Sequence, residues 1–155
     1  MREEQQPISR MEMYSGSLVT FVGIFYLMAI LGPLFQQRSA LPVSFFTPQQ
    51  FKMIFFVIFY ITGGVLFFLA RKPGWVFCAA SLLNIVLITA FLLFDSLKSG
   101  LNRYQLIPFL FFLLSLLALG FMFNKEVRVR QGVMNRDYLL MLAFYFALLL
   151  LTYKV

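Results

Sequence analysis

General acid/base, metal and nucleophilic chemistry draw on His, Asp, Glu and Cys, and this 155-residue chain holds few of them: no His, one Cys (Cys78) and six carboxylates. Glu3, Glu4 and Glu12 lie in a polar leader, Glu126 and Asp137 in a basic segment, and Asp95 stands alone between them. None of these pairs has the spacing of a catalytic dyad on one helix. A Ser/His/Asp site needs a His, and a Ser/Lys pair needs a Lys within an apolar segment, where none occurs. The expectation is a protein without catalytic residues, cofactor or metal, and therefore not an enzyme.

Composition narrows the class further. Hydrophobic residues make up 61% of the chain and charged residues 12%, with a mean hydropathy of +0.86. Soluble domains carry about 45–50% apolar and about 25% charged residues, so there is too little charge here to cover a water-facing surface. The net charge of +7 comes from 13 Lys+Arg against 6 Asp+Glu. These charges cluster between long uncharged stretches, as loop charges flanking membrane spans do.

A transmembrane helix needs about 20 mostly apolar residues, because the hydrocarbon core is about 30 Å thick and a helix rises about 1.5 Å per residue. Stretches 15–35, 53–70, 73–94, 106–123 and 138–153 fit this pattern, the last being the shortest, and none contains an Asp, Glu, Lys or Arg. Gly32-Pro33 closes the first span, Pro48 precedes the second, Arg71-Lys72-Pro73-Gly74 forms a turn before the third, and Pro108 sits in the first turn of the fourth. Period-2 alternation is absent, which disfavours a β-barrel. The expected fold is all-α: a polar leader (1–14) and one integral membrane bundle (15–155) of five transmembrane helices, or four plus a C-terminal helix that does not cross. The leader, the long first apolar run and Arg38 after it argue against a cleaved signal peptide.

With five spans, eight cations (Arg2, Arg10, Arg71, Lys72, Lys125, Arg128, Arg130, Arg136) lie on one side and five (Arg38, Lys52, Lys98, Arg103, Lys154) on the other. Cationic loops stay cytoplasmic, so the N-terminus is placed inside and the C-terminus outside. If the last segment does not cross, Lys154 moves inside and the N-terminal assignment is unchanged. Tyr14, Trp75, Tyr104, Tyr138 and Tyr153 lie near span ends as an interfacial aromatic belt.

Each span carries a hydrogen-bonding side chain near its middle: Tyr26, Tyr60, Asn84, Ser115 and Tyr145. Unpaired amides and hydroxyls are costly in hydrocarbon, so these five are expected to face inward as a midplane polar layer, with Asn84 bonded to at least one other. The layer would be a register-fixing cluster or a site for a neutral solute. Gly63-Gly64 offers either a close helix contact or unwound backbone for an ion. Cys78 is either a packed small hydrophobe or a juxtamembrane modification site. The loop after the first span presents Phe45-Phe46 to the interface, to the outer mouth of the bundle or to a partner. Lys125, Arg128, Arg130 and Arg136 form the densest charge and are expected to lie against anionic lipid headgroups, while the aromatic interleaving needed to stack nucleic-acid bases is missing.

Two segments, Arg71-Lys72-Pro73-Gly74-Trp75 and Asn124-Lys125-Glu126-Val127-Arg128, together resemble a broad, poorly characterised group of small bacterial multi-spanning membrane proteins. In that group a basic-Pro-Trp turn precedes one helix and a Glu-Val-Arg segment follows the next. The resemblance covers roughly residues 71–133, with Lys125 where Pro is usual and Arg130-Gln131 where an aromatic precedes the Gly. It implies a bacterial inner-membrane setting and brings no activity and no site residues. The function expected from all this is a non-enzymatic accessory or scaffold subunit, with a membrane-protein partner or a second copy of itself; the alternative is a small transporter or channel for a neutral or hydrophobic solute.

Overall fold

The computed structural model describes residues 9–36, 48–69, 72–98 and 106–153. Among these described residues six helices follow one another, with no strand: α1 (Arg10–Gln36), α2 (Pro48–Phe68), α3 (Lys72–Lys98), α4 (Leu106–Met122), α5 (Lys125–Arg130) and α6 (Asn135–Tyr153). Among the described residues three helices are long and apolar enough to cross a membrane, over Arg10–Ala29, Lys72–Asp95 and Asn135–Thr152. α2 and α4 contribute the shorter apolar runs Lys52–Phe68 and Phe109–Met122. The loop bearing Phe45-Phe46 lies outside the described residues.

Helix ends follow local chemistry. α1 starts within the polar leader because Ser9 and Glu12 form a reciprocal cap: the Ser9 N–H donates to Glu12 Oε2 (2.9 Å) and the Glu12 N–H to Ser9 Oγ (3.3 Å). At its far end α1 continues through Gly32-Pro33 to Gln36 rather than closing there. The turn expected at Arg71–Gly74 is shorter than that, for α3 already begins at Lys72 and accepts Pro73 in its first turn. Asn124 caps α5, its side chain accepting from the Glu126 N–H at 2.9 Å. Gly132, with φ 61°, ends α5; the Val133 N–H reaches Arg128 O (2.9 Å) and the Gly132 N–H reaches Val129 O (3.1 Å).

α1 to α4 close into a four-helix bundle in which α1 and α3 each pack on α2 and α4, while α6 lies on the outside of α3. α3 is the hub, with half of its apolar window buried against a third for α1 and less for α6. Glycines set the closest approaches. α2 is helical through Gly63-Gly64, and its two neighbouring faces meet two different helices: Gly63 lies against Phe77 and Cys78 of α3, Gly64 against Gly16 and Thr20 of α1. The outward faces carry large apolar side chains, among them Phe21, Phe25, Ile58, Ile107, Leu139 and Phe146, a surface suited to lipid.

Candidate functional site

Two polar clusters interrupt this apolar interior. In the first, Asn84 of α3 is fully buried and its Nδ2 donates to the Tyr60 hydroxyl of α2 at 2.8 Å. Tyr60 is fully buried too, and the Tyr26 ring of α1 lies 5.9 Å from its ring. Three helices are thus joined at one level by two tyrosines and an amide. Asn84 Oδ1 and, one turn earlier, Ser81 Oγ are buried without a hydrogen-bond partner. Ser115 is also buried but donates to Phe111 O of its own helix (2.8 Å), and Tyr145 stacks at a tilt against Phe146 of its own helix. Tyr26, Tyr60 and Asn84 are therefore brought together, whereas the bonds of Ser115 are local.

Beside Tyr26 a cavity of about 470 Å³ opens between α1, α3 and α4, lined by Val22, Ile85, Ile88, Phe111 and other apolar side chains. Thr89 on its wall already donates to Ile85 O (2.8 Å), so the lining has little left to offer a polar solute.

The second cluster sits at the end of the bundle where α1, α3, α5 and α6 begin. Glu12 is 2% exposed, and its carboxylate accepts from Arg130 Nη1 at 2.6 Å and Gln131 Nε2 at 3.1 Å. Gln131 Nε2 also lies 3.5 Å from Phe67 O at the end of α2. Next to it Arg128 Nη1 donates to the Tyr138 hydroxyl (2.8 Å), and the Trp75 indole N–H donates to Met122 O (2.9 Å) with its ring 5.3 Å from that of Tyr138. The four cations expected at lipid therefore divide. Arg128 and Arg130 are tied to Tyr138 and Glu12; Lys125 is exposed, as is Arg136, which lies 4.0 Å from Asp137.

Glu12 and Gln131 were not distinguished by residue type alone. The Ser9-x-x-Glu12 spacing is the signal that could have placed Glu12 on the first turn of a packed helix; nothing local marks Gln131. Glu126 and Asp137 do not act as a pair, since Glu126 is exposed and Asp137 accepts from the Met134 N–H at the start of α6 (2.7 Å). Cys78 is fully buried with its thiol 3.9 Å from Ser15 O, which places it in the packing and out of reach of a modifying reagent. No group of three metal-ligating side chains occurs among the described residues. The Glu12 carboxylate is spent on structural bonds, and neither cluster places a nucleophile beside a base. A comparison with protein families, curated proteins and solved structures finds no match to this chain.

Proposed function

We propose that the chain is a non-enzymatic integral membrane protein of a bacterial inner membrane, an accessory or scaffold subunit that works through helix–helix contacts. Five segments cross: α1 to α4 and α6, with the start of α1 and the α5 segment cytoplasmic and the end of α6 outside. The observation that carries this is the apolar outer surface of the bundle. Glycine contacts and bonds such as Asn84–Tyr60 hold the helices together, while the outward faces of α4 and α6 display Ile107, Leu110, Leu139 and Leu150 to whatever surrounds the bundle. Purification in mild detergent should recover a partner membrane protein or a stable homo-oligomer. A strictly monomeric particle that supports solute flux in liposomes would overturn the proposal.

Orientation is tested separately. Lys125→Cys changes an exposed residue, and the native Cys78, being buried, contributes no background. The introduced thiol should resist an impermeant reagent in intact cells and react after lysis. Reaction before lysis would invert the topology.

The cavity lined in part by Tyr26 favours one alternative, a carrier for a neutral or hydrophobic solute that uses the adjoining Tyr26–Tyr60–Asn84 layer. Asn84→Leu separates the two. A structural amide predicts a lower unfolding temperature, from a loss of about 1 kcal/mol for the interhelical bond, with flux absent in both proteins. A solute site predicts unchanged folding and a loss of measurable flux.

A further inference from the structure

Once Arg128 and Arg130 are committed to Tyr138 and Glu12, the described cations that face outward at this end of the bundle form a different set from the one the sequence segment suggests. Arg10, Lys72, Lys125 and Arg136 are exposed; they open α1, α3, α5 and α6, which all begin at the same end. The side chain of Lys72 runs over the α5–α6 turn, its Cε 3.0 Å from the point where a Cβ on Gly132 would stand. Asp137 is buried at the start of α6, leaving Glu126 as the exposed carboxylate of the α5 and α6 starts. Exposed apolar side chains share the α5–α6 segment: Val129 is 71% exposed and Met134 53%, while Val127 on the opposite side of α5 is buried. Cations at the starts of four helices on one end, with an exposed valine and methionine on the segment that joins two of them, are suited to a layer that is anionic at its surface and apolar just below it.

We infer that this end of the bundle is a collar for anionic phospholipid headgroups of the bilayer that holds the protein, with Arg10, Lys72, Lys125 and Arg136 contacting phosphates and Val129 and Met134 dipping beneath them. The inference rests on the membrane assignment proposed above and adds which residues meet lipid. Arg130, paired with Glu12 at 2.6 Å, is excluded from that contact and serves the stability of the bundle instead.

The test uses the full chain reconstituted in phosphatidylcholine vesicles with a minority of spin-labelled phosphatidylglycerol or spin-labelled phosphatidylcholine, reading the preference of the motionally restricted lipid shell. The wild-type protein should prefer phosphatidylglycerol, and the preference should weaken with added salt. Replacing Arg10, Lys72, Lys125 and Arg136 together by Gln should abolish it, leaving the two lipids bound about equally, since each cation contributes at most about fivefold at an anionic surface and all four are removed. Arg130→Gln should keep the preference and lower the unfolding temperature. A quadruple variant that retains the preference overturns the collar, as does an Arg130→Gln variant that loses it without loss of stability. Wild-type protein that inserts without preferring either lipid overturns the collar and leaves the membrane assignment standing, whereas protein that fails to float with the vesicles overturns both. Equal affinity for a soluble polyanion such as RNA would also overturn lipid as the partner.

Discussion

Arg130→Ala is expected to destabilise the bundle more than Glu12→Gln, although both remove the same ion pair. Glu12 is 2% exposed and Arg130 side chain 27%, so the two partners differ in what they can do when left alone. Without Glu12's charge, the guanidinium can turn toward water, and a Gln at position 12 still offers Gln131 an acceptor. The cost should be about 1 kcal/mol, that of an ordinary hydrogen bond. Without Arg130, a carboxylate stays buried with the Ser9 N–H and Gln131 Nε2 as its remaining donors. Removing one partner of a buried pair costs about 3–5 kcal/mol, and those two donors move the expectation to the lower end of that range. The double variant Glu12→Gln/Arg130→Ala should recover part of the loss, giving a coupling of about 1–3 kcal/mol in a thermodynamic cycle. Chemical unfolding in detergent measures all three. Equal single effects, or additivity in the double variant, would mean that Glu12 is not held as an ion pair and that α5 is attached to α1 by packing alone.

This pair also marks the limit of what was legible in the chain. Apolar length and the bounding prolines suffice to place helices, because each depends on residues a few positions apart; the five apolar stretches coincide with α1 to α4 and α6. Helix ends were less legible. Pro33 reads as a terminator, yet α1 continues past it, and Lys72-Pro73-Gly74 reads as a turn, yet it is the first turn of α3. A proline removes the bond to the carbonyl four residues before it and crowds that carbonyl, and whether the helix continues or stops there is decided by packing outside the local sequence. Asn84 and Tyr60 stand out because amides and phenols in apolar runs must be satisfied by something. Glu12 does not, since a glutamate in a polar leader has water as an adequate partner until the fold places Arg130, 118 residues away, beside it. The basic segment is the same case. Four cations in a row of sequence look equivalent, and only the three-dimensional neighbours Glu12 and Tyr138 divide them into two that hold the structure and two that face outward.

Gly74→Ala should be among the most damaging small substitutions in the chain, with Gly120→Ala as its control. A Cβ on Gly74 would fall on the backbone of Leu66 and Phe67, the carbonyl carbon and oxygen of the first and the nitrogen of the second. Backbone atoms of a packed helix cannot rotate aside as a side-chain tip can, so the first turn of α3 must move away from the end of α2. That turn carries Trp75, which is fully buried, hydrogen-bonded to Met122 O and packed edge-on against Phe123 and Tyr138. Shifting α3 therefore strains its contacts with α4 and α6 as well. Overpacking costs about 1–3 kcal/mol, occasionally more, and contact with fixed backbone places this site at or above the upper end. At Gly120 a Cβ meets nothing within 4 Å. There the added methyl lowers the entropy of the unfolded chain and should stabilise α4 by about 0.4–1 kcal/mol. The two alanine variants should move the unfolding temperature in opposite directions, and Gly74→Ala should also expose the Trp75 indole, red-shifting its fluorescence. If Gly74→Ala instead behaves like Gly120→Ala, the α2–α3 junction is looser than this contact requires, and the collar residue Lys72, two positions before Gly74, is not held over the α5–α6 turn by it.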